Sequence, residues 1–90
     1  MKYTVLWKRA AEQELALIWT NAADRNAVTA AADRIDRLLQ FNPDERGESR
    51  SPGIRVLLVP PLGVLFTVQT EDRIVNIGAV WRFKNRSRGT

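Results

Sequence analysis

Ninety residues are enough for one hydrophobic core and leave no room for a second domain. With 44% hydrophobic and 27% charged residues the chain is globular, and the absence of cysteine and histidine excludes disulfides, thiolate metal sites and imidazole acid–base chemistry. The formal net charge of +4 resides wholly in the last nine residues, where Arg82, Lys84, Arg86 and Arg88 are accompanied by no acid.

From the N-terminus, Lys2 to Trp7 is rich in β-branched and aromatic residues, and the alternation of Tyr3, Val5 and Trp7 predicts a half-buried strand. Helical spacing follows over Ala10 to Ala23, with Ala11, Leu15, Ile18 and Ala22 on one stripe that Trp19 extends. Asp24 is placed to cap a second helix, whose apolar face is Val28, Ala31, Ala32, Ile35, Leu38 and Leu39. Asp33, Arg34, Asp36 and Arg37 lie away from that face. The Asp33–Arg37 spacing adds about 0.2–0.5 kcal/mol, as expected of a solvated face. Asn42-Pro43 ends the helix, because proline disfavours helical geometry in the residue before it.

Asp44 to Gly53 is polar and reads as a loop. Ile54 to Val59, Val64 to Thr70 and Arg73 to Phe83 read as strands joined by turns at Pro60–Gly63 and Glu71-Asp72, which makes an antiparallel meander. The order β-α-α-β-β-β predicts an α+β fold. An αα-hairpin packs on one face of a twisted, mainly antiparallel sheet, because its apolar stripe must be buried. Residues 1–84 form the single domain and 85–90 a basic C-terminal tail.

In the last strand Val75, Ile77, Ala79, Trp81 and Phe83 alternate with Asn76, Gly78, Val80, Arg82 and Lys84. If the first set faces the helices, Trp81 and Phe83 belong to the core. Arg82 and Lys84 then lie on the open face, Arg86 continues the row, and Arg55 projects from the same side. If Trp81 and Phe83 are instead stacking platforms, the faces are reversed. Arg55, Arg82, Lys84 and Arg86 are the candidate binding residues, within reach of one phosphate or one carboxylate-rich segment. No catalytic residue is assigned. Glu12 and Glu14 do not face each other on a helix, and Glu71 and Asp72 suit a turn. No metal-ligand spacing or phosphate loop occurs, so no cofactor is expected. No stretch reads as a signal peptide or membrane span, and the expected compartment is the cytoplasm.

The opening strand, the helix pattern Ala11, Leu15, Ile18, Trp19, then Ile35 and Leu38 before Asn42-Pro43, and the Gly47 loop form one ordered series. It closes with Ile54-Arg55-Val56-Leu57, Val64-Leu65-Phe66-Thr67-Val68, and Ile74-Val75-Asn76-Ile77 running into Val80-Trp81-Arg82-Phe83-Lys84. Over roughly residues 1–84 this series resembles the RelE/ParE toxin superfamily. The resemblance implies the toxin of a type II toxin–antitoxin module, of the kind tied to plasmid stabilisation and growth inhibition. An acidic, partly disordered cognate antitoxin would hold it inactive.

RelE-like members cut messenger RNA on the ribosome, whereas ParE-like members poison DNA gyrase. The cutting members resemble one another in a basic open sheet face and a late histidine or tyrosine. Here Arg55 is the one cation kept in the corresponding second strand, Leu65 aligns with an arginine, Arg82 takes the late position, and Tyr3 is the only tyrosine. Metal-free RNA cleavage needs a base, an acid and cations at the phosphate. Arginine stays protonated, and the nearest carboxylates, Glu45 and Glu48, fall in the loop. The expectation is therefore a ParE-like, non-nucleolytic toxin. The alternatives are a ribosome-dependent endoribonuclease with a loop glutamate as base, or a degenerate inactive binding module. Whether the chain is an enzyme stays open.

Overall fold

Two helices cover one face of a five-stranded sheet in the computed structural model, which describes residues 1–83. Two of the four candidate cations, Lys84 and Arg86, lie outside the described residues. Strand β1 (Thr4–Trp7) leads into α1 (Arg9–Asn21) and α2 (Arg25–Leu39). A 3-10 turn at Pro43–Glu45 follows, then β2 (Glu48–Ser51), β3 (Ile54–Val59), β4 (Leu62–Gln69) and β5 (Ile74–Arg82). The sheet order is β1-β5-β4-β3-β2, antiparallel throughout except where the first strand lies parallel to the last.

Local chemistry sets most of these boundaries. Asp24 caps α2, its Oδ1 accepting the Ala27 N–H at 3.0 Å. Helix α2 ends at Leu39, and Asn42 enters the left-handed region with φ of 52°, which its short polar side chain tolerates and which turns the chain into Pro43. Ala11 and Ile18 of α1 and Val28, Ala31, Ile35 and Leu39 of α2 are buried against Leu62, Val64, Phe66, Val75, Ile77 and Val80 of the sheet. Trp19 does not follow its stripe inward and remains 43% exposed.

Strand β4 begins at Leu62, inside the segment read as a turn, and two further features depart from the sequence reading. The segment read as a loop contains β2, a short, wholly exposed edge strand. It pairs with β3 from Glu48↔Val56 to Ser51↔Ile54. Gly47 launches it with φ of +66°, and a Cβ at that position would collide with the Val56 carbonyl, so the hairpin requires glycine.

The second departure is in β5. Leu65 pairs with Ala79 while Phe66 pairs with Ile77, which leaves Gly78 as an extra, bulged residue. The bulge reverses the alternation. Before it Val75 and Ile77 face the helices; after it Val80 does, while Ala79 and Trp81 turn to the uncovered side. Trp81 is therefore not a core residue. It is half-buried with its ring over Gly63. Arg82, expected on the open face, shares the helix-side parity of Val80.

Candidate functional site

Arg55 and Arg82 were expected to converge on one anionic group. Both project from the helix side of the sheet, because Arg55 pairs with Phe66 and Arg82 with Leu62, two residues of the core-facing row. Four positions of β4 separate their rows, roughly 13 Å along the strand, with one strand between them. Arg55 is also engaged locally. Its Nε donates to the Arg46 carbonyl at 2.8 Å and its Nη2 to the Gly47 carbonyl at 3.1 Å, tying β3 to the turn that launches β2. Arg82 is exposed at the other end of the ladder. The two do not form one cationic site. Glu45 and Glu48, the loop carboxylates considered as a base, are exposed, and Glu48 pairs with Arg50 at 3.7 Å.

The structure instead forms a cleft of about 630 Å³ between α1 and α2. Its inner wall is apolar: Trp7 from the end of β1, Leu15 from α1, and Val28 and Ala32 from α2. Its rim is acidic, with Glu12 on one helix and Asp33 and Asp36 on the other. Asp36 is half-buried and accepts only two long bonds, from Trp7 Nε1 and Gln40 Nε2, each at 3.5 Å. Among the described residues the only ion pair is Arg50–Glu48, so none of the three rim carboxylates is neutralised by a neighbour. At one end of the cleft Arg25 stacks on Trp19 at 4.7 Å from the ring centroid. Its Nε and Nη2 donate to the Trp19 and Thr20 carbonyls at 3.1 and 2.9 Å, closing the last turn of α1.

This arrangement suits burial of an apolar segment that carries a cation. The sequence reading missed it because Asp33 and Asp36 fit an ordinary solvated helix face. The available signal was that Asp36 follows Ala32 by four residues, which places it on the border of the apolar stripe. Among the described residues no group of His, Cys, Asp and Glu could hold a metal ion, and no helix is long and apolar enough to cross a membrane.

Residues 5–85 match the family model of the ParE toxin of the type II toxin–antitoxin system, parDE. No curated protein matches the chain significantly in sequence. Among solved structures, the chromosomal ParDE system of P. aeruginosa superposes with a TM-score of 0.73 at 22% identity, covering 92% of this chain and 98% of that one. The RelBE2 toxin–antitoxin complex of Mycobacterium tuberculosis gives 0.74 at 17% identity, covering 94% and 95%. The intact RelBE complex of E. coli gives 0.63 at 14% identity, covering 93% and 99%. At these identities the structural likeness establishes the fold, and the family model establishes the family.

Proposed function

The chain belongs to the family of ParE toxins of type II toxin–antitoxin systems, and we propose from this that it arrests growth by binding a protein target, without cutting RNA, and that a cognate antitoxin neutralises it in the cytoplasm. The target implied by the ParE-like reading is DNA gyrase. The observation that carries the non-nucleolytic reading is the separation of the two described strand cations: Arg55 is engaged by two backbone carbonyls and Arg82 is exposed at the opposite end of the ladder. A phosphate in flight between two oxygens needs several donors at one point, and that point is lacking among the described residues.

The α1–α2 cleft supports the antitoxin half of the proposal. Its apolar wall and three unneutralised carboxylates fit an amphipathic segment with aliphatic anchors and an arginine or lysine near Asp36. An antitoxin acidic overall would then carry a locally basic anchor. The test is co-expression with the product of the adjacent reading frame. Ala32→Arg fills the cleft and Asp36→Lys reverses its charge, so each should weaken antitoxin binding at least tenfold while growth arrest persists. Primer extension on messages from arrested cells should show no new ends within codons. Discrete cleavage ends would overturn the non-nucleolytic reading.

A further inference from the structure

Every charged residue that lines the α1–α2 cleft is acidic, although the chain as a whole carries a net charge of +4. The cleft exists because the two helices border it with small side chains. Ala16 and Thr20, one turn apart on α1, line one side, and Thr29 and Ala32 of α2 line the other, so the hairpin splays where larger residues would fill the gap. The resulting space of about 630 Å³ is of the size that takes small organic molecules. Asp36, half-buried at the edge of the apolar wall, spends only two 3.5 Å bonds on protein donors, and an ionised carboxylate has room for about four. Glu12 and Asp33 add further negative charge at the mouth. Among the described residues no group of carboxylates is placed to hold a metal ion, so the rim is not a metal cage. Trp19 shows that an indole of this cleft accepts an organic cation, since the Arg25 guanidinium lies on it. That guanidinium is spent on the Trp19 and Thr20 carbonyls and pairs with no carboxylate.

We propose that this cleft binds a small amphipathic organic cation, an aromatic or branched apolar body carrying one ammonium or guanidinium, and that such a ligand competes there with the antitoxin. The competition rests on the antitoxin reading above; the binding itself does not. The apolar body covers Leu15, Val28 and Ala32, and the cationic head sits at Asp36 in the field of Asp33 and Glu12. Each feature of the cleft rules against another class of ligand. An anion meets three uncompensated carboxylates. An inorganic cation or a polyamine leaves the apolar wall wet. A neutral apolar molecule covers the wall but takes nothing from the rim. A ligand that binds the free toxin and not the complex shifts the complex towards dissociation by mass action, so occupancy of the cleft releases the toxin.

Phenylbutylamine is a suitable probe, with phenylbutanol as its neutral and phenylbutyrate as its anionic counterpart. In calorimetric titration of the full chain at low salt, the amine should bind about tenfold more tightly than the alcohol, and the acid should not bind detectably. Added salt should erase most of that difference. Asp36→Asn keeps the shape of the side chain and removes its charge, so it should weaken the amine roughly threefold to tenfold and leave the alcohol unchanged. Ala32→Leu fills the space and should abolish both. Glu71→Gln, which alters an acid in the turn between β4 and β5, should change neither. Equal binding of amine and alcohol would show that the rim is idle. Amine binding that survives both Asp36→Asn and Ala32→Leu lies elsewhere on the protein. Either result overturns the site, as does a failure of the amine to bind at all. With the co-expressed antitoxin, amine at about ten times its own dissociation constant should raise the apparent Kd of the complex about tenfold. If the amine binds at Asp36 and the antitoxin's affinity does not move, the ligand site stands and the competition falls, together with the antitoxin reading of the cleft.

Discussion

The two bonds from Arg55 to the Arg46 and Gly47 carbonyls give this guanidinium a structural task, because they fasten the start of β3 to the turn before β2. The partly buried, charge-assisted bond to the Arg46 carbonyl is worth more than an exposed ion pair, so Arg55→Ala should cost about 1–2 kcal/mol in urea denaturation. Arg55→Lys should recover only part of this, because an ammonium lacks the planar fork that meets two adjacent carbonyls. Gly47→Ala should cost more than either, since it combines a left-handed backbone with a clash at the Val56 carbonyl. The sequence singled out Arg55 as a cation but could not reveal its partners. They are backbone oxygens brought close by a turn whose shape depends on Gly47.

The two helices begin differently, and the difference can be measured. Asp24 caps α2 with its own side chain, so Asp24→Ala should destabilise by about 1 kcal/mol. Lys8, at the start of α1, makes no side-chain cap bond, and Lys8→Asp should stabilise by roughly 0.5–1 kcal/mol through a new cap and a better dipole match. Both helices were legible because a 3.6-residue apolar period repeats over three or four turns. Strand β3 was legible to the residue. The bulge in β5 was not, because alternation reads as unbroken until one extra residue shifts it, and Gly78 was the sole hint. That single residue moved Trp81 and Arg82 to opposite faces from those expected first. Strand β2 was hidden for another reason. All four of its residues are exposed, so no hydrophobic period marks it, and the alternating charges of Glu48 and Arg50 suit an edge that must resist pairing with other chains.

At the scale of the molecule, a thin core makes stability depend on what is bound. An antitoxin present at about 100 times its dissociation constant adds roughly 2.7 kcal/mol, which for a domain of this size raises the melting temperature by about 10–20 °C. Calorimetry of the free chain and the complex should show that gap, and it should survive added salt if apolar burial in the cleft dominates. The parallel pairing of the two outermost segments of the fold has its own consequence. Thr4 meets Ile74 and Trp7 meets Ile77, so the first strand to be synthesised has no neighbour until the last one exists. Contacts so distant in sequence are slow to close. A nascent chain stopped at Gln69 holds both helices and four strands, yet lacks the strand that joins β1 to the rest of the sheet. Pulse proteolysis of stalled chains should find them digestible up to that length and resistant only once β5 is complete. On this order of events the sheet closes around β1 only once β5 has been made.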